Sequence, residues 1–517
     1  MPEQQILLQI PPQPDRPPKP LPADAPPKLI PVDRDQRIWT EFDIDTLIDD
    51  DHKMRTLWDF TGRLDLSVFA ADIRSKCGEA GRPSWDPHVL VCVWLYAFSE
   101  RITSARQIER CMEYEPALRW LTGLQVINHH TLSDFRVGHK KALDNLFVQL
   151  LVALEEAGLV TLERVMHDGT KIRAQAGSDS FRREKTVQER LAQARALVAE
   201  DPQAAGEDDN ARRQAARQRA RREQQEKAEK ALQELTNLQA DKANESEQAA
   251  TRVSVSEPEA RMMKHGDNAF APSYNVQVTT DATAGAIVGV HLSQSSDDSH
   301  SLEPAMDAVK ENLGRDPVQA VVDGGFTNRE AIEKADQRGI DLVGSLPDPK
   351  ERSEAAMKGV GIDPHYAPHC FTILENNTLV CPEGKVLEHV GRKRKRGNQY
   401  QQYRANGSDC QQCAHQQQCC PRKPWQGRMV SVLEKEDEAV AKFREKMSTE
   451  SAKAIYRQRG AIAEFPFAEI KERFGLRKFR LFGKAKAELE AKWACLTHNI
   501  LIWIRKTTSQ PAVAMTL

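Results

Sequence analysis

Two short apolar runs in this chain each end in an Asp-Gly pair: Val165-Met166-His167-Asp168-Gly169-Thr170 and Ala320-Val321-Val322-Asp323-Gly324-Gly325. Downstream of both lies a segment carrying Tyr456, Arg459, Glu464 and Lys471. Asp-Gly after an apolar run is a common strand-to-turn signal, so either aspartate alone reads as an ordinary turn residue. The combination constrains far more. Two strands must deliver their carboxylates side by side, and a helix must lay a third acid across them. Three carboxylates so placed can hold a pair of divalent ions about 3.5 to 4 Å apart on a phosphodiester. Asp168, Asp323 and Glu464 are therefore the candidate catalytic and metal-binding set. Hard oxygen donors select Mg²⁺, as two ions, with Mn²⁺ able to substitute.

Bulk properties bound this reading. The chain has 517 residues, 40% of them hydrophobic, enough for a sizeable core and several domains. Its formal net charge is −2, so any nucleic-acid contact must come from local basic clusters. No apolar run approaches the length of a membrane span, and the N-terminus lacks a basic start followed by an apolar stretch. A cytoplasmic, nucleoid-associated protein without membrane contact is expected, in a compartment that keeps cysteines reduced.

Along the chain, residues 1–31 are rich in proline (Pro11-Pro12, Pro17-Pro18, Pro26-Pro27) and read as an extended or disordered leader. Residues 32–158 carry helical spacing, as in His88 to Phe98 and Leu143 to Leu154, punctuated by Pro83, Pro87, Pro116 and Gly123. They predict an all-helical domain. Residues 159–345 carry the order strand, strand, strand, helix, strand, helix, strand, the order of an RNase H-like α/β core. A helical insertion at 181–250, rich in Arg, Glu, Gln, Ala and Lys, interrupts it as a charged hairpin. Its arginines at 212–222 suit either a solvated face or a DNA backbone. A Cys-rich insertion follows at 346–445, and 446–517 returns to the core with Glu464.

The residues around Glu464 are similar to the Tyr-Arg-Glu-Lys signature of DDE transposases, specifically the IS1182 family within the IS4/IS5-like superfamily. The resemblance runs through Tyr456, Arg459, Glu464, Phe467, Lys471, Phe474 to Phe479, Trp493, His498 and Asn499. Farther back it takes in Asp168-Gly169-Thr170-Lys171, Tyr274-Asn275-Val276-Gln277, Asp323-Gly324-Gly325-Phe326 and Thr131 to Arg136. It implies a homodimeric enzyme that binds the terminal inverted repeats of an insertion sequence, cleaves at the element ends and joins them to double-stranded target DNA. Asp168, Asp323 and Glu464 are then the triad, with Tyr456, Arg459 and Lys471 supporting it and touching end phosphates. A transposase-derived binding protein without catalysis and a stand-alone metal-dependent nuclease are the competing readings.

Pro466, two residues after Glu464, is the weak point, since proline costs about 3 kcal/mol inside a helix. The sequence leaves two options: a helix that starts near Pro466 or one kinked there. Glu469 and Glu472 are the alternative acids. Five cysteines fall between Cys381 and Cys420. Cys381, Cys410, Cys413 and Cys419 match a tetrahedral zinc set, with Cys420 and His415 as substitutes; the other reading is a thiol-rich loop without an ion. Arg392, Lys393 and Arg394 form a basic run suited to phosphate or to solvent, and Arg136 in the helical domain is a candidate DNA contact. Trp85, Trp94, Tyr96 and Phe98 read as core.

Overall fold

The computed structural model describes residues 41–71, 73, 83–199, 211–395 and 398–508. The proline-rich leader and the Asp201-Pro202 break lie outside them. Seven helices open the described chain: α1 Lys53–Thr61, α2 Ser67–Ala70, α3 Pro87–Ser99, α4 Ala105–Cys111, α5 Pro116–Leu121, α6 His129–Gly138 and α7 Lys140–Glu156. Local chemistry sets their starts. Asp86 caps α3 by accepting from His88 N at 2.8 Å, with Pro87 in the first helical position. Every residue from Leu90 to Ser99 is buried, as a helix apolar on all sides must be. In α7 the buried Leu143, Leu146, Phe147, Leu150, Leu151 and Leu154 follow the helical period, giving it one inward stripe.

The main sheet is mixed. β1 Arg164–Arg173 is its centre, after which a short pair, β2 Phe181–Arg182 and β3 Val253–Ser254, roots the charged hairpin. The hairpin arms are α8 Glu184–Ala199 and α9 Ala211–Ala240, followed by the short α10 Glu245–Ala250. The arms run antiparallel: Arg195 pairs with Glu229, while Arg221 reaches back to the Leu197 carbonyl. They enclose a small apolar cluster of Val187, Ala231, Leu235 and Val253, separate from the main core. The sheet resumes with β4 Arg261–Lys264, β5 Phe270–Asp281 and β6 Ile287–Ser293; α11 Leu302–Leu313, β7 Gln319–Val321, α12 Arg329–Gln337 and β8 Asp341–Val343 complete it. Its order is β4-β5-β1-β7-β8, with β6 also on β5. β5 is antiparallel to β1 and β6, whereas β1, β7 and β8 are parallel. The strand and helix order expected for residues 274–344 is thus present.

One continuous apolar core runs from the N-terminal helices through the sheet to the last helix. Between core strands and that helix stands the Cys-rich insertion, which is a second small sheet rather than a loop. It opens with α13 Pro349–Gly359, then β9 Thr372–Ile373, β10 Leu379–Val380, β11 Val386–Lys395 and β12 Asn398–Ala405. The short α14 Gly407–Gln411 and α15 Gln416–Cys419 precede β13 Met429–Lys435. All five strands pair antiparallel in the order β13-β12-β11-β10-β9 over their own small core. The chain then forms α16 Glu438–Ser448, α17 Glu450–Arg457, α18 Arg459–Ala468, a π turn over Glu469–Arg473 and α19 Lys484–Thr508. Asn499 of α19 clamps the start of β6, accepting from Ile287 N at 2.7 Å and donating to Ile287 O at 2.8 Å. No helix among the described residues is long and apolar enough to cross a membrane.

Candidate active site

In the parallel pairing of β1 with β7, Met166 stands opposite Val321. Asp168 lies two residues farther along β1 and Asp323 two residues beyond the end of β7, near enough that its carboxylate acts on that of Asp168. The strand pair is covered by α18, whose Ala463 packs on Met166, Val321 and Val343. The two aspartates therefore meet at the end of the parallel pair, beneath the helix that carries Glu464.

Asp168 is mostly buried and accepts from Gly169 N at 2.7 Å and from Arg459 Nη1 at 3.1 Å. Burial pushes its carboxyl above the ordinary value; the Gly169 N–H and Arg459 oppose the shift, and the Asp323 carboxylate adds to it. Asp323 accepts from Gly325 N at 2.7 Å, and its carbonyl accepts from Thr327 Oγ1 at 2.9 Å, which fixes the turn after β7. Lys471, in the π turn, donates to Thr170 Oγ1. Burial lowers its ammonium, and Arg477 lowers it further, against Glu472 and Asp168. Tyr456 and its neighbour Ile455 on α17 pack against the Met166–Val321–Val343–Ala463 cluster.

The fold thus gathers Asp168, Asp323, Arg459 and Lys471, with Tyr456 and Glu464 on the covering helices. Glu464 is exposed on α18. That helix starts at Arg459 and continues through Pro466, so Glu464 sits inside it and the option of a start near Pro466 is not taken. Neither alternative acid is spare. Glu469 is buried against His498, Arg473 and Arg505, and Glu472 pairs with Arg477. Among the described residues, no three His, Cys, Asp or Glu side chains are gathered closely enough to hold an ion as they stand.

Arg136 corrects the reading from sequence. It is 4% exposed, donates to the Thr103 carbonyl at 2.9 Å and lies 4.5 Å over the Trp94 ring, so it is a core residue with no face for a phosphate. The run Arg392, Lys393 and Arg394 lies in β11 of the insertion's small sheet, with Arg392 paired to Glu434 at 3.1 Å. Trp94, Tyr96 and Phe98 are buried, as expected.

The opposite face of β1 holds a polar cluster that went unread in the sequence. His167 is fully buried between Thr279 Oγ1 at 2.9 Å and Gln277 Oε1 at 3.0 Å, and burial pushes it down to about 3. Gln277 and Asn275 both donate to Asp298 Oδ1 at 2.8 Å. A Cβ on Gly169 would stand 2.4 Å from Gln277 Nε2 and 2.8 Å from Asp298 Oδ1, so a larger residue here would have to push this bonded pair aside. Polar residues at alternate positions of an otherwise apolar strand, Asn275, Gln277 and Thr279, were the available signal.

In the insertion, Cys381, Cys410, Cys413, Cys419 and Cys420 line one small cavity of ~30 Å³. None is in a disulfide. Cys381 Sγ accepts from Lys385 N at 3.2 Å and Cys410 Sγ from Arg428 N at 3.3 Å. Burial pushes the Cys419 thiol up to about 12, and neighbouring cysteines add to that shift.

Two family models match the chain. A transposase domain (DUF772) covers residues 42–138, and a transposase DDE domain covers residues 380–502. The second match spans Glu464 and Lys471, while Asp168 and Asp323 fall between the two. No curated protein and no solved structure matches the chain. Both matches lie on one polypeptide, which indicates a DDE-type transposase of an insertion sequence with an IS1182-like architecture.

Proposed function

We propose that the protein cleaves DNA at the ends of an insertion sequence and joins those ends to target DNA, with Asp168, Asp323 and Glu464 as its metal-binding acids. The observation that supports this is the β1–β7 pairing under α18: it ends at Met166 opposite Val321, two residues before each aspartate, and the Asp323 carboxylate acts on that of Asp168. We read the sheet as an RNase H-like core on its strand order, with β6, β5 and β1 antiparallel, then β1, β7 and β8 parallel. The N-terminal helices take the terminal inverted repeats, and the enzyme works as a homodimer on double-stranded DNA.

The donor set fits a hard divalent cation. Two carboxylates share one corner, burial disfavours the charge of Asp168, and Asp168 already holds a cation in Arg459. Asp168, Asp323 and Glu464 would hold Mg²⁺, which supplies activation of the attacking oxygen and stabilisation of the leaving one. Arg459 and Lys471 place positive charge beside the aspartates, where a phosphate would be drawn against them. We further propose a structural zinc in the pocket of Cys381, Cys410, Cys413 and Cys419, whose sulfurs would have to draw together on the ion, since no three are gathered closely enough to hold one as they stand. Backbone N–H groups aimed at two of its sulfurs support this, because thiolate ligands take such donors. About one zinc per chain should be found in purified protein, and a stoichiometry near zero removes the assignment.

The deciding experiment is strand transfer with paired-end DNA and Mg²⁺. Joining supports the transposase, cleavage without joining the nuclease, and binding alone the catalytically lost relative. Asp168→Asn and Asp323→Asn should each lower joining by at least ~10³-fold while end binding persists. Joining at wild-type rates by either variant would sink the acid assignment.

A further inference from the structure

A cleft of ~1480 Å³ lies between the acidic corner and the small sheet of the insertion. Gly324, beside Asp323, lines it, as do Lys350 and Arg352 of α13 and Lys393 and Tyr400 of the β11–β12 hairpin. Its volume exceeds the ~300–1,000 Å³ typical of sites for small ligands, so it suits a chain molecule. The acids along it are matched within the protein. Glu333 pairs with Arg329, Glu330 with Lys334 and Glu436 with Arg444. Lys350, Arg352 and Lys393 have no ion-pair partner among the described residues, which leaves the wall with an excess of positive charge.

We propose that this cleft holds a single DNA strand running from the acidic corner, with its phosphates against Lys350, Arg352 and Lys393 and a base against Tyr400. The identity of the polyanion rests on the strand-cutting reading of Asp168 and Asp323. An unpaired strand is preferred to a duplex for a physical reason. Duplex bases are stacked inside, out of reach of a ring on the wall, whereas a basic groove with an aromatic platform is how unpaired strands are held. The β11 backbone explains why one residue of the basic run serves here. Neighbours in a strand face opposite ways, so Lys393 lines the cleft while Arg392 turns to Glu434.

The test uses the full chain in EDTA, with a labelled short oligothymidylate and a blunt duplex of the same length, followed by fluorescence anisotropy at several salt concentrations. The K350A/R352A/K393A variant should bind the single strand at least ~30-fold more weakly, with a salt slope smaller by about 2, at ~0.7 per lost phosphate contact. Tyr400→Ala should weaken the single strand by ~10-fold. Duplex affinity should change less than ~3-fold, since the duplex is taken by the N-terminal helices. K350Q/K393Q, a milder change at exposed positions, should fall between wild type and the triple variant. Unchanged single-strand affinity in the triple variant, an equal loss on the duplex, or no single-strand binding by the wild type would each overturn the proposal. Because no metal is present, this readout does not depend on catalysis: a chain that binds the strand through these residues yet cuts nothing in the separate strand-transfer assay with Mg²⁺ overturns the catalytic reading and leaves the cleft assignment in place.

Discussion

Glu469 and Glu464 are five residues apart on one segment, and their environments assign them different work. Glu464 is exposed on α18, whereas Glu469 is 7% exposed and bound by His498 Nδ1 at 2.5 Å, Arg473 at 2.9 Å and Arg505 at 3.0 Å. Burial by itself would raise the Glu469 carboxyl, but the bonds to His498 and the charges of His498 and Arg505 outweigh it and hold it at about 2. Its folded value is below the ordinary 4.5, so the unfolded chain binds more protons in that interval. The stabilisation is therefore complete above pH 4.5 and is lost as pH falls toward 2. Glu469→Gln should cost roughly 2–3 kcal/mol at neutral pH in denaturant unfolding, and the difference from wild type should shrink through that acid window. A constant difference across the window would show that packing, and not charge, carries the residue's contribution. Arg136 teaches the converse lesson. A long cation on a helix reads as a surface contact until packing is known, and here its guanidinium is spent on Thr103 and Trp94 inside the core.

At the scale of elements, the π turn after α18 decides what Lys471 can reach. Glu464 and Lys471 are seven positions apart, which in a plain α-helix stacks them on one face. The wider turn over Glu469–Arg473 changes that phase, and Lys471 meets Thr170 on β1. Pro466 lies in the same helix and withholds an N–H from its ladder. Pro466→Ala should restore that donor, so its unfolding temperature should not fall. Strand cleavage should still drop by ~10-fold or more, because the helix that carries Glu464 would be redirected over the aspartates. Full activity in this variant would show that the proline is incidental to the site. The basic run likewise took its meaning from its element: in a loop all three side chains would be equivalent, but in β11 their directions alternate.

At the scale of the whole molecule, the charged hairpin stands on its own small cluster, while the aspartates flank another, of Met166, Val321, Val343 and Ala463, on strands whose remaining apolar residues belong to the continuous core. Phe181 and Arg182 pair with Ser254 and Val253, which brings the ends of the hairpin together. Replacing residues 184–251 by a short glycine turn should therefore leave a folded chain, with the core transition moved by no more than a few degrees in calorimetry. Loss of the cooperative core transition would mean that α8 and α9 are part of the core's foundation. The sequence by itself determined the order of strands and helices in the core, the positions of Asp168 and Asp323, and the signature from Tyr456 to Lys471. Period-two and period-3.6 patterns are local and the backbone follows them, whereas the Asp-Gly turn signal holds only after β7: β1 runs straight through Asp168-Gly169 to Arg173, because its pairing with β5 continues past them. Tertiary structure alone decided the rest: the pairing that brings the two aspartates together, the ion cluster that occupies Glu469, the burial of Arg136 and the cleft between core and insertion. Each of these depends on which distant surfaces meet, and the free energy of burial and of charge pairing is fixed only when they do.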